Sequence, residues 1–273
     1  MIVIRKKMKM KLFLFGNLLL LLIGCSVQVN NSLEDASGLE AELLVSAAAS
    51  LANSLEEIGL LFEQQHKGIT VTYNYGSSGA LQHQIEQGAP VDIFLSAGKR
   101  QMRSLIEAGL IDQEQSVSLL SNELVVIVPE GAGGAWDDLS AISRLQMIAM
   151  GEVKTVPAGE YAKAAFMATG VWDTVQHKIV YAKDVRQVLS YVETGNVDAG
   201  IVYKSDARTS NKVEVVYSFD AEDHGFIEYP MGIVKNSRHS EAAELYSDFL
   251  QSDEVGEIFE EYGFQMKAGV TNE

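Results

Sequence analysis

The sequence predicts an α/β protein of two lobes: two mixed sheets flanked by helices and joined by two crossover strands. Three observations lead there. From residue 42 onward, short apolar runs alternate with helical runs, the pattern of sheets covered on both faces. After a long apolar strand near 123–129 a second series of the same kind begins. Another long strand, 227–234, precedes two closing helices, so the chain has two strands available to cross between lobes. One lobe is expected to hold 42–123 and 232–270, the other 124–231.

The elements follow in order. ELLVSAAA reads as a buried strand, and SLANSLEEIGLLFEQQH as a helix with Leu51, Leu55, Ile58 and Phe62 on one face. ITVTYNY is a second strand and ALQHQIEQG a second helix; VDIFLSA is a third strand and RQMRSLIEAG a third helix, closed by Gly109. SNELVVIVPEG gives the long strand that stops at Pro129. The GAGGAW run after it lacks the spacing of a phosphate-binding loop and reads as an ordinary loop. RLQMIAMG, KIVYA and VDAGIVY are the strands of the second series, with VPAGEYAKAAFMATG and DVRQVLSYVETG as its helices. EVVYSF and FIEYPMGIV are further strands, and HSEAAELYSDFLQSDEVGEIFEEYG supplies the closing helices.

The 273-residue chain is 47% hydrophobic and 21% charged, an ordinary globular composition. Its first residues are not part of the fold. Arg5, Lys6, Lys7, Lys9 and Lys11 form a basic segment before an apolar stretch, Leu12 to Ile23, that is shorter than the roughly 20 residues a membrane span needs. This is the pattern of a secretory signal, 1–24. Cys25, the only cysteine, follows at once, and Leu22-Ile23-Gly24-Cys25 resembles the lipobox of bacterial lipoproteins. By that resemblance Cys25 is the lipidated N-terminus, and 25–41 is a polar tether to an extracytoplasmic, membrane-anchored domain. Cleavage there removes five of the 21 Lys+Arg and none of the 37 Asp+Glu, taking the formal charge from −16 to −21. So acidic a domain is poorly suited to nucleic acid.

The strand ends carry the functional signal. YNYGSSGAL ends a strand on two glycines and two hydroxyls, with no charge, and a helix begins directly. The device recurs. Ser50 follows Ala47-Ala48-Ala49 before the first helix; Val156-Pro157-Ala158-Gly159 and Asp184-Val185-Arg186 open two helices of the second lobe. A helix N-terminus presents unpaired N–H groups and about half a positive charge, so it binds an anion without a cation. The serines have an alternative use, as caps of their own helices.

Enzyme chemistry is not supported. There is no G-x-S-x-G elbow, and His66, His83, His177, His224 and His239 show no metal-ligand spacing and read as solvated surface residues. Phosphoryl transfer needs cations at the phosphates, and the strand ends offer none. No cofactor and no metal ligand are expected. Asp92, in VDIFLS, reads as a structural hydrogen-bonding residue near the hinge, and Asp184 as a helix cap.

AAASLANSL, YGSSGALQHQIEQGAPVDIFLSA, VPAGEYAKAA, AKDVRQVLSYVETGNVDAGIVYKSDA and EIFEEYGF closely resemble the periplasmic molybdate-binding proteins of ABC transporters, in one order across residues 42 to 268. The resemblance implies a type II periplasmic-binding-protein fold that closes on molybdate or tungstate and delivers it to an ABC permease; a monomeric receptor is expected. Carried over by motif, the ligand contacts are Ser50, Ser78 and Tyr203 through hydroxyls, and Ala158 and Val185 through backbone N–H groups. Glu152-Val153 depart from the Asp-Pro often found before VPAG in the family. Receptors for sulfate, thiosulfate or phosphate are the alternative, since they share the same physics.

Overall fold

The computed structural model describes residues 39–134, 136 and 138–267. The expected signal peptide, Cys25 and the tether up to residue 38 lie outside these residues, as do 268–270 at the expected end of the first lobe.

The first sheet is built where apolar residues alternate with helical stretches. Strand β1 (Ala41–Ala48) is followed by a 3-10 turn, Ala49–Leu51, and helix α1 (Ala52–Gln65). Then come β2 (Ile69–Gly76), α2 (Ser78–Glu86), β3 (Ile93–Leu95) and α3 (Lys99–Glu107). Leu51, Leu55, Ile58 and Phe62 are fully buried, as the helical spacing predicts. Strand β4 (Ile111–Asn122) closes this part.

After Glu123 alone, β5 (Leu124–Pro129) opens the second sheet. It continues with β6 (Ile148–Gly151), α4 (Pro157–Ala168), α5 (Trp172–Val175), β7 (Ile179–Ala182), α6 (Val185–Glu193), β8 (Ala199–Tyr203), α7 (Lys204–Arg208), β9 (Val213–Ser218) and α8 (Ala221–His224). The chain returns to the first sheet as β10 (Ile227–Val234), then adds α9 (Ser240–Leu250), α10 (Asp253–Glu261) and β11 (Gln265–Met266).

Both sheets are mixed. The order β11-β4-β10-β3-β1-β2 has β1 parallel to β2 and β3, with β10 antiparallel to β3 and β4. The order β7-β6-β8-β5-β9 has β6 parallel to β7 and β8, with β5 antiparallel to β8 and β9. The parallel strands of each sheet end in the turns singled out above, which is where open α/β sheets place their ligands.

Three expectations need correction. First, the two long strands do not themselves span the lobes: among the described residues β5 pairs only within the second sheet, and β10 pairs from Ile227 onward with β4 and β3. The crossings are Glu123 and the segment between Ser218 and Ile227, where Gly225 takes a positive φ of 85°. The 231/232 boundary therefore falls inside a central strand of the first sheet. Pro230 is accommodated there at a register shift, since it has no N–H for the ladder.

Second, RLQMIAMG is strand only from Ile148. The Asp198 carboxylate accepts from the N–H groups of Gln146 (2.7 Å) and Met147 (2.9 Å), which removes both from the ladder.

Third, Asp92 is structural but stands far from the crossings. It accepts from Leu44 N–H at 2.8 Å and from Ser237 Oγ at 2.6 Å, and the N–H of Val234, at the end of β10 opposite Ile227, donates to its backbone carbonyl.

Candidate functional site

Ser50, Ser78, Ala158, Val185 and Tyr203 border one small cavity. The first two come from turns after β1 and β2, the other three from the second sheet. The volume is about 10 Å³, counted as room for the centre of a water molecule, the scale of one small group. Among the described residues no lysine, arginine or histidine borders the space, and the one charged neighbour, Asp184, gives its carboxylate to its own helix by accepting from Gln187 N–H at 2.8 Å.

The free donors follow from how each helix begins. In α4, Pro157 has no N–H, and Gly159 and Glu160 both donate back to the Val156 carbonyl (2.9 and 3.2 Å). Ala158 N–H is left without a partner among the described residues. In α6 the Asp184 carboxylate and carbonyl take the N–H groups of Gln187 and Val188, leaving Val185 N–H free in the same way. In α2, Gly79 N–H crosses to the Thr155 carbonyl at 2.9 Å and Leu81 N–H returns to Ser77, which leaves Ser78 N–H. Helix N-termini from both sheets, with unpaired N–H groups and positive dipole ends, thus border one small space.

Neither serine caps a helix. Ser78 Oγ accepts from the buried Ala97 N–H at 2.9 Å, and Ser50 Oγ lies 3.0 Å from the Tyr229 hydroxyl. Tyr203, 1% exposed, donates to the Ala97 carbonyl at 3.3 Å, long for an O–H···O bond. Burial holds its pKa well above 10, so it is a proton-bearing phenol. The departure at Glu152-Val153 does not displace Ala158: Glu152 carbonyl accepts from Thr155 (3.2 Å) and Val156 (2.8 Å), a turn that leads straight into α4.

The lobes are closed on each other around this space. Besides the Gly79 and Tyr203 bonds, Arg100 binds the Glu160 carboxylate at 2.9 Å from across the cleft. Arg186 donates to the Ala49 carbonyl (3.2 Å) and to Asn53 Oδ1 (2.5 Å). Its guanidinium also stands 3.4 Å from Asp206, a fully buried carboxyl whose pKa burial pushes up to about 6 while Arg186 pulls it down.

The sequence reading missed Arg186, Asp206, Asn122 and Tyr229. Arg186 and Asp206 sit within motifs that were quoted, one residue past Val185 and three past Tyr203, but nothing in their spacing shows that they meet. His224 is also not the solvated residue expected: it packs against Tyr161 and Phe219, with ring centroids 5.8 and 6.4 Å away, and burial lowers its pKa. Among the described residues no group of His, Cys, Asp and Glu is placed to hold a metal ion.

Comparison with known proteins gives the family and the fold. Residues 43–265 match the family described as bacterial extracellular solute-binding protein. A Bacillus subtilis (strain 168) relative named "Putative ABC transporter substrate-binding lipoprotein YvgL" is 46% identical, over 90% of this chain and 93% of its own. The molybdate-binding protein ModA of Escherichia coli (strain K12) is 38% identical, over 84% of this chain and 90% of its own. The solved periplasmic molybdate-binding protein of Azotobacter vinelandii, 23% identical, superposes with a TM-score of 0.74 over 82% of this chain and 99% of its own, and shares the fold. These relatives are solute-binding proteins, not enzymes. The chain belongs to the bacterial extracellular solute-binding protein family.

Proposed function

We propose that this protein captures molybdate, and tungstate with it, outside the cytoplasm and hands it to the permease of an ABC importer. The observation that carries the reading is the donor set of the cavity. Ser78, Ala158 and Val185, each with an unpaired backbone N–H, and two serine hydroxyls border from both lobes a space that has no cationic side chain among the described residues. A small, fully deprotonated oxyanion uses every one of those donors and needs no counter-charge beyond the helix dipoles. The relatives named for molybdate supply the choice among such anions. Ser50, Ser78, Ala158, Val185 and Tyr203 are the proposed ligand contacts, the long Tyr203–Ala97 bond being one that an anion can replace.

Calorimetric titration of the purified domain tests this. Molybdate and tungstate should bind comparably, sulfate more weakly because it is smaller, and phosphate weakest. A proton on phosphate facing a donor leaves two buried groups unpaired, at about 1–3 kcal/mol, or roughly one to two orders of magnitude in Kd. Sulfate or phosphate binding as tightly as molybdate would overturn the assignment.

The membrane anchor is proposed on the signal-like N-terminus with Cys25, supported by a relative named as a lipoprotein. Cys25→Ala should leave the precursor unprocessed or release the protein into the medium. Normal processing with retention in the membrane fraction would remove the lipid from the account.

A further inference from the structure

The hydroxyl of Ser50 is tied to a chain of groups that the oxyanion reading does not use. Tyr229, on β10 and 1% exposed, lies with its hydroxyl 3.0 Å from Ser50 Oγ. Asn122, the last residue of β4, places its side-chain nitrogen 3.3 Å from that hydroxyl and 2.8 Å from Ser205 Oγ. The direction of the chain can be read from its far end. Glu123 N–H donates to Asn122 Oδ1 at 2.9 Å, which identifies the oxygen of the amide. The opposite atom is therefore the NH2 group, which only donates.

The Tyr229 oxygen thus accepts from Asn122. Its own proton needs an acceptor, and among the described residues Ser50 Oγ is the one within reach. If Ser50 donated to Tyr229 instead, a buried phenol proton would be left unpaired. Tyr229 keeps that proton, since burial holds its pKa well above 10. Ser50 Oγ accepts from Tyr229 through one lone pair, and among the described residues no acceptor takes its own proton, which is left for the cavity it borders. Ser78 is wired to the same effect by a shorter route, because Ala97 N–H occupies its oxygen at 2.9 Å.

We propose that Asn122 and Tyr229 are positioning residues that fix the Ser50 hydroxyl as a donor toward the cavity, and so make the site reject oxyanions that carry a proton. The proposal rests on the oxyanion reading of the cavity. Ser50, Tyr229 and the Asn122 nitrogen all belong to the first sheet and its turns, so the polarity is set before the second lobe closes. Each link is a donor passed inward: amide to phenol, phenol to serine, serine to ligand.

Sulfate and phosphate at about pH 8 isolate the effect, because both are dianions of similar size and differ by one bound proton. Competition against molybdate gives the sulfate-over-phosphate affinity ratio. Wild type should favour sulfate by roughly tenfold or more. Tyr229→Phe keeps the ring against Tyr203 and Phe264 but frees Ser50 to turn and accept, so the ratio should fall to about threefold or less. Asn122→Asp replaces the donor by an acceptor and reverses the chain, which should bring the ratio to about one or invert it. The added negative charge weakens both dianions alike and cancels in the ratio, as does any general loosening of the fold. A wild-type ratio in both variants would overturn the proposal while leaving molybdate binding intact. Wild type that bound neither molybdate nor sulfate would remove the oxyanion reading itself.

Discussion

Gly79→Ala should weaken molybdate binding by at least about 100-fold while leaving the ligand-free protein as stable as before, or slightly more stable. Gly79 stands in the first turn of α2, pressed against the second lobe. A Cβ added there would meet the Thr155 backbone, 2.7 Å from its carbonyl oxygen and 2.8 Å from its Cα. Backbone on both sides leaves nothing flexible to move, so the lobes must separate. Separation withdraws the donors of Ala158 and Val185, and two hydrogen bonds to a charged group are worth about 1.5–3 kcal/mol each. With the lobes apart there is no such clash, and the ligand-free protein is expected to be free to part them. Alanine is the better helix residue there, by about 0.5–1 kcal/mol, because glycine loses more backbone freedom. Affinity and stability should therefore move in opposite directions. Calorimetry beside thermal unfolding of the ligand-free protein reads both, and an unchanged Kd would mean that ligand capture does not require these lobes to meet.

Gly79 also shows where the sequence was legible and where it was not. Its turn was visible as a neutral strand end before a helix, and the same local logic pointed to Ser50 and to the helix openings at 156–159 and 184–186, while the choice of Ala158 and Val185 within them came from the family resemblance. Those features are written within a few residues of chain. The periodicity of α1 was equally open to reading, since Leu51, Leu55, Ile58 and Phe62 form one buried stripe. What could not be read is what meets across distance. Tyr229 is 179 residues from Ser50, and Arg186 is 137 from the Ala49 carbonyl it binds. FIEYPMGIV looked like any apolar strand, because its length and hydrophobicity are the same whether it crosses between sheets or pairs within one. Only the ladder with Asn122 and Ile93 decides it. The serines were readable as hydroxyls at the right places, but whether they capped helices or served a ligand depended on Ala97 and Tyr229.

That distinction changes what Ser50→Ala and Ser78→Ala should do. As caps, the serines would cost stability through an unsatisfied helix end when replaced. In the structure Ser78 accepts from Ala97 N–H and Ser50 is bonded to the Tyr229 hydroxyl, so each substitution leaves a partner behind. Ser78→Ala orphans the buried Ala97 N–H, and Ser50→Ala orphans the Tyr229 hydroxyl. Each should therefore lower the stability of the ligand-free protein by about 1–3 kcal/mol. Each also removes a hydroxyl bond to a charged ligand, worth about 1.5–3 kcal/mol, so each should raise the molybdate Kd roughly 10- to 100-fold. The double variant should lose more than either alone, approaching the product because the two hydroxyls are held by separate partners. Denaturant unfolding without ligand measures the first effect, and calorimetric titration under conditions where the variants are fully folded measures the second. The pair separates two kinds of serine. Loss of stability with unchanged affinity would make both hydroxyls internal braces of the first lobe, and would leave the anion to the backbone donors alone.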